Sequence, residues 1–195
     1  MNLIQHKNND SMKVWLAQDE VDSLLEAAPN TQHRIAFALA ARCGLRSHEV
    51  LDVAPDHLAD TPAGPMLNVH HGKGDKFRQT PAPGTLVTTI ETIDDVRDAP
   101  SSAPVVEVSS TRTLRRWLSA TTDELAETTG NDEWRHVSFH DLRRTWATSL
   151  SSADVDALLA LEWGGWNSLD TFLDHYKGPY TPEAQRRERD KVGWL

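Results

Sequence analysis

A mainly α domain (α+β overall) with one small antiparallel β-hairpin is the fold class the sequence predicts, and three observations predict it. Apolar residues recur at helical spacing through most of the chain, the pattern of helices that bury one face. Alternation of period two is confined to residues 66–80, on either side of Gly72-Lys73-Gly74-Asp75. The 195 residues suit one full domain with at most a small appendage, and a hydrophobic content of 38% supplies a core of its own.

Residues 1–12 are polar and read as a flexible lead. Val21, Leu24 and Leu25 mark a helix over Ala17–Ala28, with acids early and Pro29 as its stop. A second helix runs from Gln32 to Arg42, with Ile35 and Leu39 in register and Gly44 as its C-terminal cap. Ser47 caps a short helix that leaves Arg46 just outside its N-terminus. The run TPAGP (61–65) breaks the pattern. Met66–His71 and Lys76–Thr80 form the hairpin, with Lys73 at its tip. A helix covers Gly84–Val96, and DAPSSAP (98–104) is the most linker-like stretch. From Thr111 to Gly130 a longer helix shows Leu114, Trp117, Leu118, Thr121 and Leu125 on one face and Arg112, Arg115 and Arg116 on the other. Ser138 caps a helix buried along Phe139, Leu142, Trp146 and Leu150, with His140 and Arg143 one turn apart on its flank. A short helix over Asp154–Leu161, the turn Trp163-Gly164-Gly165-Trp166, a segment to Tyr176 and the charged run RRERDK complete the chain. The domain proper is expected over residues 13–182, with 183–195 as a tail.

Composition excludes several classes. No apolar run approaches the roughly 20 residues of a membrane helix. The opening MNLIQHKNND has neither the apolar segment nor the cleavage site of a secretory signal. Cys43 is the single cysteine, which rules out an internal disulfide framework and a multi-cysteine zinc site. The expected compartment is the cytoplasm. Twenty basic against 29 acidic residues give a net charge of −9, which opposes binding to a polyanion. Asp outnumbers Glu 18 to 11 and Arg outnumbers Lys 14 to 6, a skew that suggests a salt-loving host. In concentrated salt the long-range repulsion is screened within a few ångströms, so the local placement of Arg, Lys and His decides.

Four segments stand in order: ARCGLRSHEVLDV with Arg46, HGKGDKFRQTPAP with Lys73, SFHDLRRTWATSL with His140 and Arg143, and LEWGGWNSLDTFLDHY with Trp166 and Tyr176. Singly each is ordinary: a capping arginine, a solvated hairpin tip, core tryptophans, a packing tyrosine. Together, over residues 16–180, they resemble the catalytic domain of the tyrosine recombinases, the phage-integrase and Xer-like family. The most specific part is His-x-x-Arg followed by Gly-Trp and Tyr.

The resemblance implies DNA strand transfer without a metal or other cofactor. Tyrosine attack on a phosphodiester piles negative charge on the non-bridging oxygens, which two guanidinium forks, Arg46 and Arg143, are suited to clamp. Tyr176 is the implied nucleophile, forming a 3′-phosphotyrosyl link, and Lys73 the general acid to the departing 5′-oxygen, with Lys76 as its possible substitute. His140 assists proton transfer, Trp166, standing where many relatives have a second histidine, donates its indole N–H to the scissile phosphate or packs beneath it, and Glu49 orients Arg46. Arg112, Arg115 and Arg116, with Lys76, become phosphate-contacting candidates. The implied partner is double-stranded DNA, bound as a homotetramer on paired sites, with the C-terminal tail exchanged between protomers. Two departures stand out. Tyr176 falls one residue later than usual, where His175 would be expected to hold the tyrosine, as an insertion in the Trp166-Asn167-Ser168 turn would produce; and the separate N-terminal clamping domain of many relatives is not in the chain. A non-catalytic DNA-binding or partner-binding remnant of an integrase is the alternative. A metal-dependent nuclease is more distant: His136 and His140 are spaced like a zinc pair, but no acid or cysteine ligand stands convincingly near them.

Overall fold

The structure, a computed structural model, describes residues 1–5, 12–70, 77–175 and 182–194. Its core is organised around α2 (Thr31–Arg42), in which every residue from Ile35 to Ala41 is buried. Four of those seven are alanines, so neighbouring helices approach on all sides and α2 needs no polar face at its centre. Asn30 caps it by accepting the His33 N–H at 3.1 Å. Gly44 ends it at φ +69°, and a Cβ there would fall inside the Trp146 ring; both constraints select glycine. Around α2 pack α1 (Gln18–Glu26), α3 (Ser47–Asp52), α4 (Gly84–Val96), α5 (Thr111–Thr129) and α6 (Phe139–Ser152).

An extended segment is stitched along α6. The Val14 N–H donates to Asp141 (3.2 Å), the Leu16 N–H to Thr145 Oγ1 (3.0 Å), and Gln18 Nε2 to Ser149 Oγ (2.6 Å). Two residues of extended chain advance ~6.7 Å and four residues of helix ~6.0 Å, so alternate residues of one meet successive turns of the other. Asp141 is the hub, fully buried and also accepting from the Ser138 N–H (2.9 Å), the Ser138 hydroxyl and Arg144.

The predicted helices are present, with shifted ends where a cap or tertiary pairing intervenes. α7 (Ala157–Gly164) starts later than predicted: Asp156 caps it by accepting from the Leu158 and Leu159 N–H groups, and Asp154 sits in the left-handed region at φ 57°. Arg46, not Ser47, occupies the cap position of α3, and its N–H donates to Glu49 at 2.7 Å. The polar lead is a strand in its described part: β1 (Asn2–Gln5) pairs antiparallel with β2 (Met12–Trp15). Leu3 packs on the core and the N-terminal ammonium reaches Glu20 at 2.7 Å, which anchors it. The hairpin is part of a three-stranded sheet ordered β3 (Leu58–Thr61), β4 (Gly64–Val69), β5 (Arg78–Pro81). The TPAGP break is its first turn, with the Thr61 hydroxyl donating to the Gly64 carbonyl at 2.8 Å. Residues 71–76, with Lys73 and Lys76, lie outside the described residues.

Beside the main core, Trp146, Ala147, Ala160, Trp166 and Phe172 form a second cluster that seats α7 and α8 (Leu169–His175). The charged tail is helical as α9 (Pro182–Asp190), and Arg187 ties it to the end of α6 through Asp154 (2.8 Å) and the Ser152 carbonyl (2.8 Å). Among the described residues no helix is long and apolar enough to cross a membrane.

Candidate active site

The turn after α2, the start of α6 and the exposed face of α5 meet at a cleft of about 490 Å³. Its described lining includes Arg46, Ser47, His48, Arg115, Ser138, His140 and Arg143, with Leu45, Leu118, Val137 and Phe139 as the apolar floor. Among the described residues three arginines and no carboxylate line it, in a chain of net charge −9. Arg46 arrives there because the Gly44 turn reverses the chain and α3 begins immediately after it. His140 and Arg143 arrive because the Ser138–Asp141 cap fixes the first turn of α6.

Glu49 holds Arg46. Its carboxylate accepts Arg46 Nη1 and the Arg46 N–H, each at 2.7 Å, and also both terminal nitrogens of Arg78 at 2.8 Å. Burial by itself would raise the Glu49 carboxyl; the hydrogen bonds and charge of Arg78, with the charge and N–H of Arg46, outweigh it and bring the group down to about 2.

Arg143 is buried in the wall of the cleft. It donates to the Gly44 carbonyl and, at 2.5 Å, to the Gly164 carbonyl, and its guanidinium lies 4.7 Å from the centre of the Trp166 ring. Trp166 packs behind it between Trp146 and Phe172, at ring separations of 5.9 and 4.8 Å. A Cβ at Gly164 would fall inside the Trp166 ring, so the glycine lets the indole underlie the arginine. His140 stands at the cleft mouth with exposed surface. Loss of water from the protein around it, then the charges of Arg144 and Arg143, lowers its pKa to about 4 and keeps the ring neutral near pH 7.

Thus Arg46, His140 and Arg143 share one cleft, and Trp166 backs it. Arg115 lines it from α5; Arg112 and Arg116 are exposed on the same helix outside its lining. None of these three guanidiniums has a carboxylate partner among the described residues, whereas Arg42, Arg97, Arg135 and Arg144 all do. Tyr176, Lys73 and Lys76 lie outside the described residues. No group of three His, Cys, Asp or Glu side chains clusters as a metal site among the described residues.

The sequence pattern that defines the phage integrase family matches residues 14–181. The chain belongs to the phage integrase family. Curated relatives of this integrase domain include the tyrosine recombinase XerA of Pyrococcus furiosus, 28% identical over 159 residues, covering 80% of this chain and 54% of the relative. The XerA of Thermococcus onnurineus is 28% identical over 185 residues, covering 93% and 64%. The fold matches the crystal structure of XerA recombinase with a TM-score of 0.71 at 24% identity, over 92% of this chain and 65% of that one. It also matches the XerH site-specific recombinase bound to palindromic difH substrate in a post-cleavage complex, with a TM-score of 0.66 at 19% identity, over 92% and 52%. The integrase domain spans about half to two-thirds of the length of these relatives.

Sequence reasoning did not single out Arg78, Asp141 or His48. Arg78 carries a readable signal: it shares its inward-facing parity on β5 with Thr80, and a basic residue at a core position demands a buried carboxylate. His48 and Asp141 stand inside the quoted segments, but nothing in their spacing separates a cleft wall or a cap from a solvated side chain.

Proposed function

We propose that this integrase domain cleaves and rejoins DNA at specific sites through a 3′-phosphotyrosyl intermediate, with guanidinium groups in place of a metal ion. The observation that carries the reading is the convergence of Arg46, Arg143 and His140 on a cleft without a carboxylate in its described lining. A phosphodiester seated there meets two arginines rooted in different elements. The charge that grows on its non-bridging oxygens as a fifth ligand approaches phosphorus is compensated by fixed donors.

In this reading the Tyr176 oxygen bonds to phosphorus and the bond to the 5′-oxygen breaks. Lys73 protonates that oxygen, and a 5′-hydroxyl leaves. His140, neutral near pH 7, has a lone pair with which to take the tyrosine proton. Rejoining is the reverse, with an incoming 5′-hydroxyl as nucleophile. Arg112, Arg115 and Arg116 contact the DNA backbone. They stand in the first turns of α5, where the helix's own positive end disfavours arginine, so a phosphate supplies the counter-charge the helix lacks. The assembly is a homotetramer on paired duplex sites, with the tail after residue 182 passing between protomers.

Nicked duplex DNA that traps the covalent intermediate tests this directly. Wild type is expected to give a protein–DNA adduct on a denaturing gel, unaffected by EDTA. Tyr176→Phe abolishes it and Tyr180→Phe leaves it. DNA binding with no adduct identifies a non-catalytic remnant, and loss on chelation with recovery on adding magnesium refutes the guanidinium mechanism.

A further inference from the structure

Arg78 stands in the segment HGKGDKFRQTPAP without a role of its own in the chemistry above, yet its guanidinium makes three hydrogen bonds beside the cleft. It is buried on β5. Nη1 and Nη2 donate to the two oxygens of Glu49 at 2.8 Å each, and Nε donates to the Trp163 carbonyl at 2.9 Å. One planar fork therefore joins three pieces of the site: strand β5, the Glu49 carboxylate that holds Arg46, and the end of α7. The next carbonyl on α7, that of Gly164, accepts from Arg143.

The charges matter as much as the geometry. Arg46 lies 2.7 Å from Glu49, so with no third group the pair would sum to zero and an arriving phosphate would meet an already satisfied cation. Arg78 forms a second ion pair with the same carboxylate, whose side chain has no exposed surface. The cluster then carries one net positive charge, and that charge resides on Arg46, the more exposed of the two arginines at 15% against 5%. Stability alone does not demand this arrangement, because well-packed apolar residues serve a buried site as well as an ion triad does.

We infer that Arg78 is a positioning residue of the strand-transfer site: it neutralises Glu49 so that Glu49 can orient Arg46 without cancelling its charge toward the phosphate. The inference rests on the strand-transfer reading, and its test has one arm that does not.

Arg78→Gln leaves Glu49 facing Arg46 alone. Adduct formation on nicked DNA is expected to fall at least a hundredfold, with DNA binding within a fewfold of wild type. The double variant R78Q/E49Q removes the cancelling charge and is expected to recover at least tenfold over R78Q. The second arm measures orthovanadate affinity by NMR titration, with Arg46→Ala as background. R78Q is expected to lose most of the Arg46-dependent affinity and R78Q/E49Q to regain part of it. A merely structural role predicts that both variants lose activity in step with their melting temperatures, with no recovery in the double variant; that result overturns the inference. If wild type forms no adduct, the strand-transfer reading fails, and equal vanadate affinity in wild type and R78Q separately overturns the role of Arg78. Should R78Q not fold, Arg78→Lys replaces it: this variant keeps the charge and loses the fork, and adduct formation is expected to fall at least tenfold. A wild-type rate in R78K overturns the inference.

Discussion

Arg143 gives an N–H from each terminal nitrogen to a main-chain carbonyl and lines the cleft as well. The Gly44 carbonyl precedes Arg46 by two residues and the Gly164 carbonyl precedes Trp166 by two, so a single side chain ties down the chain beside both neighbours of the proposed phosphate site. Arg143→Lys keeps the charge but cannot satisfy both carbonyls, and an unpaired buried carbonyl costs ~1–3 kcal/mol. Loss of one oriented donor to the developing charge costs ~3–4 kcal/mol more in the transition state. Expected outcomes are a lowered melting temperature in calorimetry, adduct formation slower by two to three orders of magnitude, which is that same transition-state cost, and DNA affinity changed much less. A melting shift with an undiminished cleavage rate would make Arg143 a structural bracket only. The pairing of Arg46 with Glu49 was readable from their separation of one helical turn. The internal ties of Arg143 were not, because main-chain carbonyls carry no sequence signature.

Among elements, α6 does most to position the site, since its first turn carries His140 and Arg143 and its buried flank carries the ladder to residues 14–18. Asp141→Asn replaces an acceptor-only group by one that presents an N–H₂ to donors and leaves Arg144 buried beside a neutral partner. Breaking such a pair costs ~3–5 kcal/mol. At the far end of the ladder, Ser149→Ala removes a partly solvated hydrogen bond and is expected to cost about 1 kcal/mol or less. Urea unfolding of the two variants checks this gradient, and equal losses would refute Asp141 as the hub. The helices were legible in sequence where their own periodicity and caps decide them: α4 begins and ends where its pattern does, and α5 runs to Gly130, which takes the left-handed cap at φ 67°. The strands β1 and β3 were not legible. Each has only four residues, and each is made a strand by pairing with the strand that follows it rather than by its own propensity.

At the scale of the whole molecule, a net charge of −9 sits around a cleft with none of its carboxylates in the described lining. Salt weakens phosphate binding and also relieves the self-repulsion of the acidic surface. The Debye length falls from ~10 Å at 0.1 M to ~3 Å at 1 M, so the repulsion fades while contacts within the cleft persist. Adduct formation is expected to peak at elevated ionic strength, with the low-salt loss accompanied by unfolding in circular dichroism. A protein fully folded and most active in dilute buffer would refute the proposal of a salt-loving host and leave the proposed chemistry intact. The family resemblance and the domain's helical character were visible in the order of short motifs, while the segregation of charge was not, because it depends on which surfaces the fold brings together. The ladder between residues 14–18 and α6 joins groups 127 to 131 residues apart in the chain. During synthesis at ~5–20 residues per second, the opening segment therefore waits on the order of ten seconds for its partner to be made. Until then Val14 and Leu16 have no helix to lie on, and the hydrogen bonds that seat the first turn of α6 against the rest of the domain close only after Asp141 and Thr145 have been made.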